Sequence, residues 1–350
     1  MMLIGQVIID DGMTTKKKHT TIRDIAKLAN VSYQTVSLVI NDKPGVSDKT
    51  RRRIQRLMEE LNYHPNRAAQ MLSTNRSDTL ELITVDVLYG GRLADSTKNM
   101  ARAAKEAGYS LLVSETSAEG LGEALDAAAA RLVDGVVLYA PRLDIEDGAL
   151  SNLCKDIPLV RRDYAPGSRL AWVGFDQVYA TRLVAEHLIE LGHRHIAAIP
   201  PTSELINGHW RYTVWRNVLL EHGLTPGPAF EGDYSMRSGY EAAHRIVESG
   251  EPFTAIVAGT DHMALGAMRA LREHGLRIPE DVSVAGYDNA ELSLYTEPPL
   301  TTIDFKFAKQ DEMAVKYLVD ILSDPDMELH QRILMPDLIV RESTRSLDEV

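Results

Sequence analysis

From Leu80 onward, short apolar runs of strand length alternate with longer stretches patterned for helices, a rhythm that few arrangements other than a layered α/β fold accommodate. The strand-like runs are Leu80 to Val87, Ser110 to Ser114, Gly135 to Leu138, Leu159 to Val160, Ile196 to Ile199, Ala255 to Ala258 and Val282 to Ala285. Between them lie helical runs such as Met100 to Ala107, Thr181 to Leu191, Arg211 to His222, Ser238 to Ser249 and Ala264 to His274. Strands separated by helices pair in parallel. Roughly 270 residues is large for one such sheet, so two lobes are expected, with a cleft at the carboxyl ends of their strands.

The charge is divided unevenly. The chain is acidic overall, at −12, which by itself argues against a polyanion partner. From Lys16 to Arg76, however, 13 Lys plus Arg face 5 Asp plus Glu, a net of +8 that leaves 25 against 45, or −20, on the remainder. A small basic module therefore precedes a large acidic one. That segregation gives a local footprint for a phosphate backbone while limiting nonspecific adhesion. With 44% hydrophobic and 25% charged residues the chain is not a disordered one. Its single cysteine, Cys154, excludes a disulfide framework and a Cys-rich metal site, and no run reaches the ~18 apolar residues of a membrane span. A cytoplasmic location is expected.

Within the basic module, residues 1–19 show no periodicity and read as a flexible arm. Thr21 opens a short helix with Ile22, Ile25, Ala26, Leu28 and Ala29 on one stripe, which ends near Asn30. Ser32 caps a second helix whose Val36, Val39 and Ile40 share a face; Ser47 caps a third, closed by Ile54, Leu57, Met58 and Leu61. Two short helices joined by a tight turn make a helix-turn-helix, and its second helix enters the major groove. The residues it exposes are Tyr33, Gln34, Thr35, Ser37 and Leu38, with Gln34 the best base reader. Arg51, Arg52, Arg53 and Arg56 decorate the third helix, where one or two are expected on phosphate. A helical string, Asn66 to Leu72, and a polar linker to Thr79 follow. Seven residues are too few for a stable isolated helix, so a partner must order them.

The stretch TIRDIAKLANVSYQTVSLVINDKPGVSDKTRRRIQRLMEELNYHPNRAAQML resembles the headpiece and hinge helix of the lactose-repressor and galactose-repressor family. The similarity continues through LVDGVVL, HLIELGHRHIA, AGTDHMALGAMRALREHGLRIPEDVSVAGYDN and PPLTTI, and so spans about residues 20–345. SYQTVS, NYHPNRAAQ and DHMALGAMRA lie nearest the lactose-repressor branch. The resemblance implies an N-terminal all-α helix-turn-helix headpiece (20–64), a hinge helix and linker (65–79), and an α/β two-lobed periplasmic-binding-protein-like (type I) core (80–350), with crossovers near Asp176, Leu300 and Pro336. It implies a DNA-contacting set of Thr21, Ser32, Tyr33, Gln34, Thr35, Ser37, Leu38, Asn41, Asn66, Arg67, Gln70 and Leu72, the last wedged into the minor groove of a palindromic operator. Leu38 departs from the pattern, standing where that branch carries a base-reading arginine; a different half-site follows.

For the cleft, Asp163, Arg211, Tyr234 and Asp288 each follow or flank a strand end or open a helix, and offer acceptors, a donor fork and an aromatic face suited to a neutral polyol. By resemblance Asp163, Arg211 and Asp288 hold sugar hydroxyls, Tyr234 replaces a stacking tryptophan, Phe307 forms an aromatic wall, and Thr260 and Tyr139 stand in for other polar ligand residues. The effector is thus expected to be a mono- or disaccharide, with a purine corepressor as the alternative. No phosphate loop, nucleophile elbow or dinucleotide fingerprint is present, so no enzyme activity and no cofactor are expected. His187, His193 and His195 span a helix end and a strand start, and no metal is expected there; Cys154 is expected to be a packed thiol. The chain stops soon after RESTR without a leucine-heptad extension, which leads to the expectation of a homodimer.

Overall fold

The computed structural model describes residues 20–63, 76–86, 90–141, 145–155, 157–163, 165, 167–202 and 206–347. Backbone contacts divide the chain into two compact units, Met1–Asn75 and Arg76–Val350.

The first unit holds helices α1 (Ile22–Leu28), α2 (Tyr33–Ile40) and α3 (Asp48–Glu60). Each begins on a hydroxyl residue that satisfies an orphan amide. The Asp24 N–H donates to Thr21 Oγ1 (3.3 Å) while the Thr21 N–H donates back to the Asp24 carboxylate (2.9 Å), a capping box; Ser32 and Ser47 accept from the amides of Thr35 and Thr50 (3.1 and 3.4 Å). Asn30, Asp42 and Asn62 end the helices at φ of +46°, +48° and +46°, a left-handed turn that Asn and Asp tolerate. Ile25, Ala26, Ala29, Val36, Val39 and Ile54 form the buried core.

Among its described residues the second unit has two sheets. One runs β10-β5-β4-β3-β1-β2, all parallel, from β1 (Thr79–Val85), β2 (Ser110–Thr116), β3 (Gly135–Tyr139), β4 (Leu159–Arg161), β5 (Trp172–Phe175) and β10 (Gln331–Leu334). The other runs β11-β9-β8-β7-β6, from β6 (Ile196–Ile199), β7 (Ala255–Ala258), β8 (Ser283–Tyr287), β9 (Thr301–Asp304) and β11 (Asp337–Ile339), the last antiparallel to β9. Helices α4 (Gly90–Glu106), α5 (Leu121–Ala130), α6 (Asp147–Cys154) and α11 (Phe307–Ser323) belong with the first sheet; α7 (Gln177–Glu190), α8 (Ile206–Glu221), α9 (Met236–Glu248) and α10 (Asp261–Glu273) with the second. In the α9–α10 pair, glycines face backbone: a Cβ at Gly266 would lie 1.9 Å from the Met236 carbonyl, and one at Gly239 2.1 Å from that of Met263. Among the described residues no helix is long and apolar enough to cross a membrane.

The chain passes between the lobes three times, at Asp176, at 305–306 and at 335–336. The second passage lies beyond the expected position at Leu300, because Thr301–Asp304 is itself a strand whose Thr302 pairs with Gly286 of β8. One apolar core runs through both lobes, from Leu80, Val137 and Val160 to Ala255, Ala285 and Ile303, by way of Phe175, Tyr287 and Phe305. Cys154 is buried in a satellite cluster, and burial pushes its thiol up to about 11, a packed and unreactive group. Of the histidines, His193 is buried between the hydroxyls of Thr254 (2.9 Å) and Ser283 (3.0 Å) and is driven down to about 4 by desolvation, so it is neutral; His187 meets the Thr344 hydroxyl at 3.1 Å.

Candidate nucleic-acid interface and ligand cleft

On the first unit the exposed side of α2 carries Tyr33, 54% exposed, and Gln34, while Thr35, Ser37 and Leu38 are half-buried. Thr21 and Ser32 are exposed, but their hydroxyls serve as helix caps, and Ser32 Oγ also shares a hydrogen bond with Thr35 Oγ1 (2.8 Å). The Asn41 amide donates to Ser37 Oγ at 3.3 Å. Leu38 leans toward the turn that follows α2, where a Cβ on Gly45 would meet it at 3.9 Å. Of the arginines, Arg51 is a tie rather than a free cation, donating to Asp42 Oδ1 (2.8 Å) and to the Lys43 carbonyl (2.6 Å) and so bracing the loop between α2 and α3. Arg52, Arg53 and Arg56 are exposed. Asn66, Arg67, Gln70 and Leu72, with the arm 1–19, lie outside the described residues.

In the second unit Tyr139, Asp163, Thr260 and Asp288 stand at or just past the carboxyl ends of strands. Arg211, on α8, is 6% exposed. Its Nε donates to Gln177 Oε1 (3.3 Å) at the start of α7, and its NH1 to the Gly259 carbonyl just after β7. The guanidinium lies over the rings of Tyr287 (4.6 Å) and Phe305 (5.2 Å). Next to these partners stand Thr260, which follows Gly259, and Asp288, which follows Tyr287. Phe307 packs on Phe305 (5.6 Å) and on Phe175 (5.0 Å), which in turn lies 5.0 Å from Phe305, so three phenylalanines line two of the three passages between lobes. Burial lifts the Tyr287 phenol to about 12, so that ring is a neutral platform. Thr260 caps α10 by accepting from the Met263 amide (3.1 Å), which leaves its hydroxyl proton and a second lone pair for another partner.

Across the cleft, Tyr139 ends β3, and Arg161, Arg162 and Asp163 follow one another at the end of β4. Both carboxylate oxygens of Asp163 are engaged by Arg161, Nε to Oδ1 at 3.1 Å and NH2 to Oδ2 at 3.3 Å. Burial raises the Asp163 carboxyl, with Arg161 working against it. Arg162, which lies over the Tyr139 ring (4.8 Å), turns to the helices, donating from Nε to Asp311 Oδ1 (2.6 Å) and from NH2 to Ser96 Oγ (2.8 Å). Tyr234 stands beyond the Pro201–Gly232 bridge, half-buried, at φ +74°, a rare backbone setting for a bulky residue. The structure thus joins Arg211, Thr260, Asp288 and Phe307 through shared neighbours, and Tyr139 with Asp163 through the arginine pair. Gln177, Tyr287 and Phe305 complete the Arg211 setting and were not evident in the sequence. No spacing rule connects an α8 arginine to a glutamine 34 residues earlier.

Comparison with known proteins agrees with this architecture. Residues 21–66 match the family model described as bacterial regulatory proteins, lacI family, and residues 185–344 that of a periplasmic binding protein-like domain. The chain is 34% identical over 331 residues to the lactose operon repressor of Escherichia coli (strain K12), covering 93% of this chain and 91% of that protein. It is 33% identical over 330 residues to the HTH-type transcriptional repressor PurR of Aliivibrio fischeri, covering 92% and 98% respectively. The solved structure of the lac repressor dimer bound to operator and the anti-inducer ONPF superposes with a TM-score of 0.84 at 32% identity, over 94% of this chain and all of that one. The capped three-helix unit, the two-sheet core and these matches together show that the chain belongs to the lacI family of bacterial regulatory proteins, and is a transcriptional repressor rather than an enzyme.

Proposed function

We propose that this repressor is a cytoplasmic homodimer that grips a pseudo-palindromic operator through α2 and releases it when a sugar fills the cleft between the lobes. Residues 20–64 act as the DNA-reading head, 65–79 as hinge helix and linker, and 80–350 as the sensing and dimerising core. Two-fold DNA calls for two heads. The observation that carries the effector reading is the setting of Arg211, a buried cation whose described acceptors are an amide oxygen and a carbonyl, lying over the rings of Tyr287 and Phe305 at the carboxyl edge of the second sheet. Such a guanidinium is arranged to fork onto vicinal hydroxyls, with Asp288 and Asp163 as acceptors and Tyr234 and Phe307 as apolar walls. Release follows from the sugar's differential affinity for the two lobe geometries.

A thermal-shift screen of mono- and disaccharides, including cellobiose and galactosides, with and without operator-length DNA, tests this reading. A saccharide is expected to raise the melting temperature and weaken DNA binding. Arg211→Ala should keep operator affinity while weakening the effector by about 100-fold, the upper range for a hydrogen bond to a charged group. An unfolded Arg211→Ala chain would instead mark the arginine as structural. Gln34→Ala should lose about 1–3 kcal/mol on the preferred operator and relax base preference at one or two positions, read by binding to a randomised-site library. Unchanged preference would remove α2 as the reader. The 33% identity to a PurR repressor supports a second reading, a purine corepressor; hypoxanthine or guanine tightening DNA binding where saccharides do nothing would select it.

A further inference from the structure

Asp288 and Asn289 follow β8 with φ of +107° and +49°, two consecutive non-glycine residues in the left-handed half of backbone space. Such a conformation costs on the order of 1–3 kcal/mol per residue and persists only where surrounding bonds impose it. The bonds here converge on one carboxylate. Asp261, the first residue of α10 and fully buried, accepts from the Ala290 N–H through Oδ2 (2.7 Å) and from the Thr302 hydroxyl through Oδ1 (2.6 Å). Thr302 Oγ1 in turn accepts from the Asn289 N–H (3.3 Å), and the Asp288 N–H donates to the Ile303 carbonyl (2.8 Å). From the far side Arg341 donates to Asn289 Oδ1 (2.6 Å) and to Ser293 Oγ (2.9 Å). The carboxylate reaches this position because residue 286 is glycine: a Cβ there would fall 2.4 Å from Asp261 Oδ1.

Asp261 is thus the bond between two elements of the cleft that have no covalent reason to keep station, the N-terminus of α10 with its cap Thr260 and the loop that presents Asp288. The first turn of α10 is also a favourable place for an acidic side chain. We infer that Asp261 is the positioning residue of the effector cleft, fixing the spacing and orientation of Thr260 and Asp288 that a ligand reads. This rests on the effector reading given above, and it assigns the selectivity of the site partly to a side chain that no ligand touches.

The test uses the 350-residue chain and its Asp261→Ala, Thr302→Val and Thr302→Ser variants, with Val284→Ala, buried in β8, as a control for general loss of stability. Amide exchange comes first. The Ala290 amide should exchange about 10- to 100-fold faster in Asp261→Ala, as expected for losing a hydrogen bond to a charged group, and Thr302→Val should loosen Asn289, while Thr302→Ser, which keeps the hydroxyl, should behave as wild type. Thermal shifts with galactose, lactose and cellobiose come second. The half-saturating saccharide concentration should rise about tenfold or more in Asp261→Ala and Thr302→Val, and stay at the wild-type value in Thr302→Ser and Val284→Ala. An Ala290 amide that keeps its wild-type rate in Asp261→Ala overturns the inference, as does a Val284→Ala control that weakens the saccharide equally. Should Asp261→Ala fail to fold, the Thr302 pair decides. A wild-type chain indifferent to all three sugars would count against the effector reading, and the exchange rates would then judge the pin alone.

Discussion

Asp311→Ala is expected to destabilise the core unit by about 3–5 kcal/mol, lowering its melting temperature by roughly 10 °C. Arg162 and Asp311 expose 3% and 1% of their side chains, and the remaining partners, Ser96 on the guanidinium and Asn99 on the second carboxylate oxygen (3.2 Å), are also side chains of the fold. Removing the carboxylate leaves a guanidinium that burial prevents water from reaching. The loss comes from that stranded charge more than from the attraction forfeited, which makes the double variant informative. Arg162→Met with Asp311→Leu removes both charges and should recover most of the stability, since an apolar pair of similar volume is often neutral or better in such a place. Urea melts of the three chains measure this. An Asp311→Ala chain melting within a degree of wild type would mean that the pair contributes nothing, and a double variant as weak as the single would mean that its geometry, not its charge, is what the lobe requires.

The second large effect is confined to the head. Ile54→Ala should remove about 2–5 kcal/mol from the three-helix unit, the usual range for emptying a buried aliphatic position. A core below about 70 residues seldom supplies more than about 3–5 kcal/mol, so the loss is of the same size as the whole margin. Among the described residues six buried side chains make that core, four of them the alanines and valines Ala26, Ala29, Val36 and Val39, and Ile54 is the one fully buried side chain that α3 contributes. The expected result is a chain whose far-ultraviolet spectrum loses a small amount of helix, whose operator affinity falls by 100-fold or more, and whose core melts as before. Retention of operator binding would show that the head draws its stability from elsewhere.

What was legible in the sequence was what short-range chemistry dictates. Thr21, Ser32 and Ser47 cap the helices they were expected to cap, because a cap depends on three or four neighbouring residues. The runs at Ile196–Ile199 and Ala255–Ala258 are strands with those very ends, being apolar, β-branched in part and flanked by turn residues. Helix α4 begins at Gly90, ten residues before the expected Met100, since glycines and polar residues conceal a segment that is held by α11, with Asn99 bonded to Asp311 and Arg102 paired with Glu312. Arg51 belongs to the run of arginines expected to decorate the third helix, with one or two on phosphate, yet its contacts with Asp42 and the Lys43 carbonyl make it a brace of the preceding loop. In the cleft, residue types at strand ends indicated Arg211 and Asp288, whereas their supporting partners Gln177, Asp261 and Phe305 are brought in by topology alone. Which carboxylate Arg161 and Arg162 each take, Asp163 two residues along for the first and Asp311 on a distant helix for the second, follows only from the fold.

Three strands of backbone crossing side by side, at 176, 305–306 and 335–336, determine which motions the core permits. A single tether would allow the halves to swivel freely; three abreast resist twisting and separation, and leave a tilt about the line through them as the soft direction. Phe175, Phe305 and Phe307 pack on one another at two of those crossings, like part of the pin of a door. An event in the gap between the halves is therefore expected to act mainly through that one angle, with the far ends of the lobes moving farthest.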